Sequence, residues 1–433
     1  MQSSARPMRF AERIGVAGGR LRIGPPLAFF MAFALADWLG WVLREHASES
    51  FVALSVPFIQ VEAAGTALAI TLAAVICFGL IRNEVVALLA GSLLYLVLWI
   101  PLSWVTNPLL SSGRATRFEI FWPSAGVAFQ VLLWPLLCFA ALAFGFASAK
   151  RPWLRVTLAW FLATALRCAA ILALSAGEHR ALSRDSFVQF ALIPIGFAAL
   201  ELMLLWAGLE IANAGRGKLA RWPAGLILWA GGLTVPILLT PCSYVLGHGW
   251  NVGSGLAVLI SRGRLESLAE IFTLGRGAWF GYSWEGRIQA VMLPLGVLLP
   301  LAQLAGLCAL IYLMWRAIQD GRPRTSPGKA LGFLFIPFFN LYWFFQVTWG
   351  FARDFNAHLD RQGLRTRRLS EGLLLAYPIL TIVSSCLIGF TRAASLAMTL
   401  MWLAQAAVGA AVTSAVNEAT RNAAAESTSA AAA

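Results

Sequence analysis

The sequence predicts an all-α, polytopic membrane protein with about ten transmembrane helices and a re-entrant hairpin at residues 328–351. Of the 433 residues, 59% are hydrophobic and 12% are charged, whereas soluble domains are about one quarter charged. The apolar residues form runs of about 20, the length at which a helix crosses a bilayer. These runs do not alternate polar and apolar residues as membrane strands do. The two observations exclude a soluble domain and a membrane β-barrel.

The net charge of +13 indicates a membrane partner rather than nucleic acid. The basic residues lie mostly in loops between apolar runs, where the positive-inside rule and anionic lipid place them. We therefore expect the lipid bilayer and anionic headgroups as partners. A membrane-protein partner is also compatible with this composition. The six cysteines and four histidines are scattered, and we predict neither a metal site nor a cofactor.

The order of apolar runs and polar connections divides the chain into five parts. They are a basic tail (1–24), a seven-helix bundle (25–246), an extracytoplasmic loop with an amphipathic helix (247–287), a C-terminal helical module (288–416) and an Ala/Ser/Thr-rich tail predicted to be disordered (417–433). The predicted spans are 25–44, 61–81, 85–104, 120–147, 153–176, 187–213, 222–246, 288–317, 373–390 and 393–416. With the basic tail inside, three of the basic loops also face the cytoplasm. The sequence thus predicts a bacterial cytoplasmic membrane protein with both termini cytoplasmic.

The stretch from Gly328 to Asn356 contains a helix break in the middle of an apolar run. Pro337 lacks a backbone donor and disfavours helix at the residue before it, and Asn340 can bond to freed backbone groups. A plain span here would place the most basic loop outside, against the positive-inside rule. The arginines of that loop are Arg353, Arg361, Arg365, Arg367 and Arg368. A hairpin that enters and leaves on the cytoplasmic side removes the conflict. A kinked but complete span remains the alternative.

The string GFLFIPFFNLYWFF, followed by Gly350 and an Asp354-Phe355-Asn356 ending, resembles a recurring bacterial multi-pass membrane module. That module occurs in uncharacterised proteins, in places behind GYF-type domains. The resemblance covers about residues 320–415 and implies a helical membrane fold, without an activity that can be transferred. The remainder of the chain resembles no family that we can name.

Three ionisable residues lie well inside predicted spans, namely Asp37, Arg167 and Glu201. Intramembrane charges face the bundle interior and seek partners. Arg167 and Glu201 lie on consecutive antiparallel spans at depths that differ by about 6 Å, so we predict that they pair. The pair is either part of a proton or solute relay or a static contact that fixes helix packing. Gln303 and Asn340 are neutral polar residues at depth, where interhelical hydrogen bonds are the usual role.

Two classes of function follow from these features. Kinked helices, a broken hairpin and a buried Arg–Glu pair are typical of a permease for a small solute or lipid. The alternative is a non-catalytic membrane scaffold or interaction subunit that binds partners or anionic lipid through basic cytoplasmic loops. An enzyme is less favoured, because the sequence has neither a nucleophile elbow nor a phosphate-binding loop.

Overall fold

The computed structural model describes residues 49–81, 83–106, 125–146, 152–177, 193–214, 217–245, 284–320, 323–387 and 391–432. Within these ranges the chain is helical and contains no strand. The helices are α1 (Glu49–Leu80), α2 (Glu84–Thr106), α3 (Ala125–Phe146), α4 (Pro152–Gly177), α5 (Ile193–Asn213), α6 (Trp222–Val245), α7 (Trp284–Ala317), α8 (Pro327–Gly332), α9 (Phe339–Arg361), α10 (Glu371–Leu387) and α11 (Thr391–Ala432). Asp37, the first predicted span and most of the predicted extracytoplasmic loop lie outside the described residues.

Among the described residues, three helical stretches are long and apolar enough to cross a membrane. They are Ala63–Leu80 in α1, Val297–Ala317 in α7 and Met398–Thr428 in α11. Shorter apolar stretches are Val85–Trp99, Trp134–Phe146 and Glu371–Cys386. The all-helical class is therefore confirmed, while the count of about ten spans stays a prediction.

Exposed leucines on α4 show how the outer surface of this protein is built. Leu154, Leu158, Leu162 and Leu166 repeat every four residues and are 51% to 62% exposed. A spacing of four places them on one face of the helix. An apolar stripe of this kind is an aggregation liability in water, but it is the ordinary surface of a helix that faces lipid. The stripe is thus compatible with a membrane protein.

The described residues form two compact units, one within Glu62–Leu209 and a second that includes Glu210–Ala433. In the first unit, Trp99 of α2 donates a 3.1 Å hydrogen bond from Nε1 to Thr66 Oγ1 of α1. Phe78 stacks on Phe139 of α3, with ring centroids 6.1 Å apart. A Cβ at Gly145 of α3 would lie 2.1 Å from Val156 Cγ2 of α4, so these helices need glycine at their closest approach.

Helix α11 is the centre of the second unit and contacts α6, α7 and α10. Trp402 on α11 is buried, and its Nε1 lies 3.3 Å from the carbonyl oxygens of both Ile227 and Leu228 on α6. A Cβ at Gly231 would lie 2.5 Å from the Trp402 ring, so glycine makes room for the indole. The position of α11 relative to α6 is thereby fixed by one large side chain.

The predicted disordered tail at 417–433 is not what the structure has, because α11 continues to Ala432. Val416, Asn417 and Ala419 are buried. Helix propensity and packing both favour extension of the helix beyond the apolar run. Alanine and glutamate are good helix formers, and the buried side of this segment packs on the rest of the unit.

Asn417 clamps the loop before α6. Its Oδ1 accepts the Leu219 N–H at 3.0 Å, and its Nδ2 donates to the Leu219 carbonyl at 2.8 Å. A Cβ at Gly217 would lie 2.2 Å from Asn417 Oδ1. One buried amide thus satisfies both backbone groups of Leu219, a residue that no regular helix serves.

We predict that Asn417→Ala lowers the free energy of unfolding by about 2–4 kcal/mol, because both backbone groups of Leu219 then stay buried without partners. Denaturant unfolding in mixed micelles, followed by tryptophan fluorescence, measures this change. Asn422→Ala on the same helix is the matched control and is expected to cost less than about 0.5 kcal/mol. Equal losses in the two variants would show that the clamp contributes nothing.

Candidate functional site

The two ends of the segment from Arg324 to Asp354 are in contact with each other. Arg324 Nε lies 2.9 Å from Asp354 Oδ1, and the Arg324 backbone N–H donates to Asp354 Oδ2 at 3.1 Å. Beside this contact, Asp320 Oδ2 lies 2.9 Å from His358 Nδ1 and 2.8 Å from Arg361 Nη2. We call these five residues the hairpin base. The chain leaves this base after Arg324 and returns to it at Asp354.

The two legs of the hairpin are unequal. The first consists of α8 and a 3₁₀ turn at Phe333–Phe335, and the second is the 23-residue helix α9. Ser326 caps α8, because its hydroxyl accepts the Lys329 N–H. Helix α9 extends to Arg361, beyond the predicted end at 351, because its buried face continues past that position to Leu359.

The break falls at Ile336–Phe338, where Pro337 predicts it. Backbone bonds run from Phe339 N–H to the Pro337 carbonyl at 2.7 Å and from Asn340 N–H to the Ile336 carbonyl at 3.0 Å. The turn therefore satisfies these backbone donors within itself. Phe338 adopts φ +64° and is 88% exposed. A positive φ is strained for phenylalanine, so the turn holds an aromatic side chain outward at some cost.

Aromatic packing joins the legs to each other and to the core. Trp343 Nε1 of α9 donates to the Ala330 carbonyl of α8 at 3.1 Å, and the Phe333 ring packs edge-on against Trp343. On the buried face of α9, Phe351 meets Trp315 of α7, whose Nε1 bonds to the Val347 carbonyl at 3.2 Å. The hairpin is thus a fixed part of the second unit.

Three of the five arginines assigned to the basic loop form ion pairs within the second unit. Arg361 pairs with Asp320, Arg367 with Glu210 and Arg368 with Asp360. Arg353 lies on α9 with its guanidinium 5.0 Å from the Trp349 ring centre, and Arg365 is exposed. The basic loop that the sequence predicts is therefore partly an ion-pair network.

The pair of Arg367 and Glu210 is the most buried of these contacts. Arg367 Nη1 lies 2.6 Å from Glu210 Oε1, and the side chains are 18% and 2% exposed. Glu418 of α11 lies within electrostatic reach of Glu210, and Ser414 lies near the same carboxylate. A carboxylate this deeply buried is tolerated only with a paired, hydrogen-bonded partner.

In the first unit, three helices bring polar groups together around Cys138 of α3. The Arg167 guanidinium of α4 stacks 4.7 Å from the centre of the Trp134 ring. Glu201 of α5 is fully buried. Both charges act on the buried Cys138 thiol, which places all three in one neighbourhood. The direct Arg167–Glu201 pair stays a prediction.

The remaining predicted polar residues lie in the second unit. Gln303 of α7 donates from Nε2 to Gln405 Oε1 of α11 at 2.7 Å, an interhelical bond of the expected kind. Asn340 lies in the first turn of α9, directly after the break. Sequence reasoning missed Glu210 and Asn417. An acidic residue in the last turn of α5, where it opposes the helix dipole, was a usable signal for Glu210.

We predict that Arg367→Gln lowers the free energy of unfolding by about 3–5 kcal/mol, because it leaves the buried Glu210 carboxylate without its cation. The double variant Arg367→Gln/Glu210→Gln is expected to recover more than half of the loss. Arg365→Gln, an exposed arginine two residues away, is the control and should change stability by less than about 0.5 kcal/mol. Denaturant unfolding in mixed micelles, followed by tryptophan fluorescence, measures the stability of each variant. A double variant as unstable as Arg367→Gln would contradict the proposed role of the pair.

Comparisons of the chain with family models, with curated proteins and with solved structures found no match. The resemblance of residues 320–415 to a bacterial membrane module therefore stays a prediction. Function has to be inferred from the geometry of the chain itself.

Proposed function

We propose that this chain is a permease-like, multi-pass protein of the bacterial cytoplasmic membrane that moves a small solute or lipid past Glu201. The observation that carries the proposal is the burial of Glu201. Its side chain lies in the middle of α5, and both it and Arg167 lie within electrostatic reach of the buried Cys138 thiol of α3. Ionisable residues at membrane depth are costly and mark ion or substrate pathways by default.

The broken hairpin supports the same proposal. Its base is charged and closed by the Arg324–Asp354 contact, while residues 330–352 contain no charged side chain. From the tip at Phe339 to Asp354, α9 rises about 22 Å, which is less than the hydrocarbon thickness of about 30 Å. A hairpin of these dimensions enters and leaves on one side. Broken helices with satisfied backbone at membrane depth are typical of transporters.

The scaffold alternative receives less support from the arginine contacts. A scaffold that binds partners through its basic loop needs those cations at the surface. Arg361, Arg367 and Arg368 instead neutralise carboxylates of the same unit. The fold accounts for Arg367, which is paired with a buried carboxylate. Arg368 is 64% exposed in a surface pair that contributes little to stability, so it stays accessible to a partner.

The side of the membrane on which the hairpin base lies can be measured at Gln362, an exposed residue directly after α9. We predict that Gln362→Cys reacts with an impermeant thiol reagent only after cells are opened. Ala433→Cys, at the C-terminus that the sequence predicts to be cytoplasmic, is the matched control. Labelling of Gln362→Cys in intact cells would contradict a cytoplasmic hairpin base and would remove the hairpin from the proposal.

The pathway itself is tested at Cys138. We predict that a variant that keeps only Cys138 reacts with a small cationic methanethiosulfonate reagent in membrane vesicles, because water reaches Glu201. Adding Glu201→Gln should slow this reaction about 3- to 10-fold by removing a nearby negative charge. A neutral reagent of similar size should show no such change.

The control is a variant that keeps only Cys77, which is buried on α1 of the same unit. It is expected to stay unlabelled, because Cys77 is buried and the proposed pathway passes Glu201 of α5. Equal rates at Cys138 and Cys77, whether fast or absent, would contradict the pathway. Absence of labelling at both would favour a dry core and a scaffold.

A further inference from the structure

The outer face of α9 carries a ladder of polar and aromatic side chains that the proposed pathway does not use. Tyr342, Gln346, Trp349 and Arg353 follow one another at spacings of three or four residues, which places them on one stripe of the helix. Gln346 Nε2 donates to the Tyr342 hydroxyl at 3.1 Å, and Arg353 stacks on Trp349. We call these four residues the outer stripe of α9. It lies opposite the face that buries Val347, Phe351 and Phe355.

The heights of these residues match the layers of a bilayer leaflet. If the hairpin tip reaches the bilayer midplane, Trp349 lies about 15 Å below Phe339 along the helix. That is the edge of the hydrocarbon core, where tryptophan concentrates. Arg353 then lies about 21 Å below Phe339, at the level of the lipid headgroups. Along the outer stripe, the aromatic residue thus lies at the edge of the hydrocarbon core and the basic residue lies at the headgroups.

The chemistry of Arg353 suits a phosphate at that level. Its neighbour Asp354 is held by Arg324, so the nearest carboxylate in sequence is already engaged. Arg353 is exposed, and its guanidinium carbon lies 5.0 Å from the centre of the Trp349 ring, a cation–π contact that restricts the orientation of the guanidinium. A planar, oriented guanidinium presents two N–H donors side by side, which matches two phosphate oxygens.

We infer that Arg353, oriented by Trp349, binds the headgroup phosphate of an anionic lipid in the cytoplasmic leaflet. This inference rests on the re-entrant hairpin of the proposed function, since only that topology places Arg353 among cytoplasmic headgroups. It assigns a specific lipid contact to one of the five arginines. The three ion-paired arginines serve the fold, and Arg365 lies in the exposed connection to α10.

The test uses the purified full chain in a neutral detergent and measures thermal unfolding by tryptophan fluorescence. Short-chain phosphatidylglycerol, short-chain phosphatidylcholine and inorganic phosphate are titrated separately. We expect phosphatidylglycerol to raise the Tm of the wild type more than the other two do. Arg353→Gln should lose at least half of that specific rise, and Arg353→Lys should keep part of it, because lysine retains the charge without the planar pair of donors.

Arg365→Gln is the matched control, since it removes the same charge from an exposed site off the hairpin, and it should keep the full rise. An equal loss in Arg365→Gln would show unspecific attraction, and an unchanged rise in Arg353→Gln would exclude the site. An equal rise with inorganic phosphate would point to a free anion and contradict the lipid. The Gln362→Cys and Cys138 experiments do not involve Arg353. A failed lipid response with cytoplasmic labelling at residue 362 would therefore overturn this inference alone.

Discussion

The contact of Arg324 with Asp354 is the constraint on which the second unit depends. Because it joins the two ends of residues 325–353, the chain between them has to turn back on itself. The turn then needs a break in the helix, which Pro337 supplies, and a set of local backbone bonds to satisfy the break. Within the same unit, the buried rings of Trp315 and Phe351 pack and hold α9 beside α7. The contact of Arg324 with Asp354 also begins the charged layer that Asp320, His358 and Arg361 continue.

The helical class, the break at Pro337 and the interhelical role of Gln303 could be predicted from sequence, because each depends on local pattern. A proline inside an apolar run breaks a helix wherever the run folds, and a glutamine at depth seeks a partner amide. The partners of the loop arginines could not be predicted. Glu210 and Arg367 are 157 residues apart, and no periodicity relates them. Counting charges located a basic loop, but it could not show that three of its cations form ion pairs within the second unit.

Two asparagines show a second regularity that composition conceals. Asn417 holds both backbone groups of Leu219, and Asn356 holds both backbone groups of Leu369 through bonds of 3.0 Å and 2.9 Å. Each leucine lies two or three residues before a helix, in a connection that carries basic residues. A side-chain amide carries an acceptor oxygen and a donor nitrogen side by side, so it can bond to the N–H and the carbonyl of one residue at once. The prediction of disorder beyond residue 416 did not consider that Asn417 is buried and bonds to Leu219, in a helix that continues to Ala432.

The two buried glutamates differ in what their burial achieves. Glu210 lies in the last turn of α5 and anchors the connection before α10 through Arg367, so a structural role accounts for it fully. Glu201 lies in the middle of the same helix and is fully buried. The Cys138 thiol lies within electrostatic reach of it, as does Arg167, whose guanidinium lies over the Trp134 ring. A helix bundle held only by packing would be more stable with apolar residues of similar volume in these places. The cost of burying Glu201 is the physical reason for proposing a pathway at this residue. The burial of Glu210 is explained by its ion pair with Arg367.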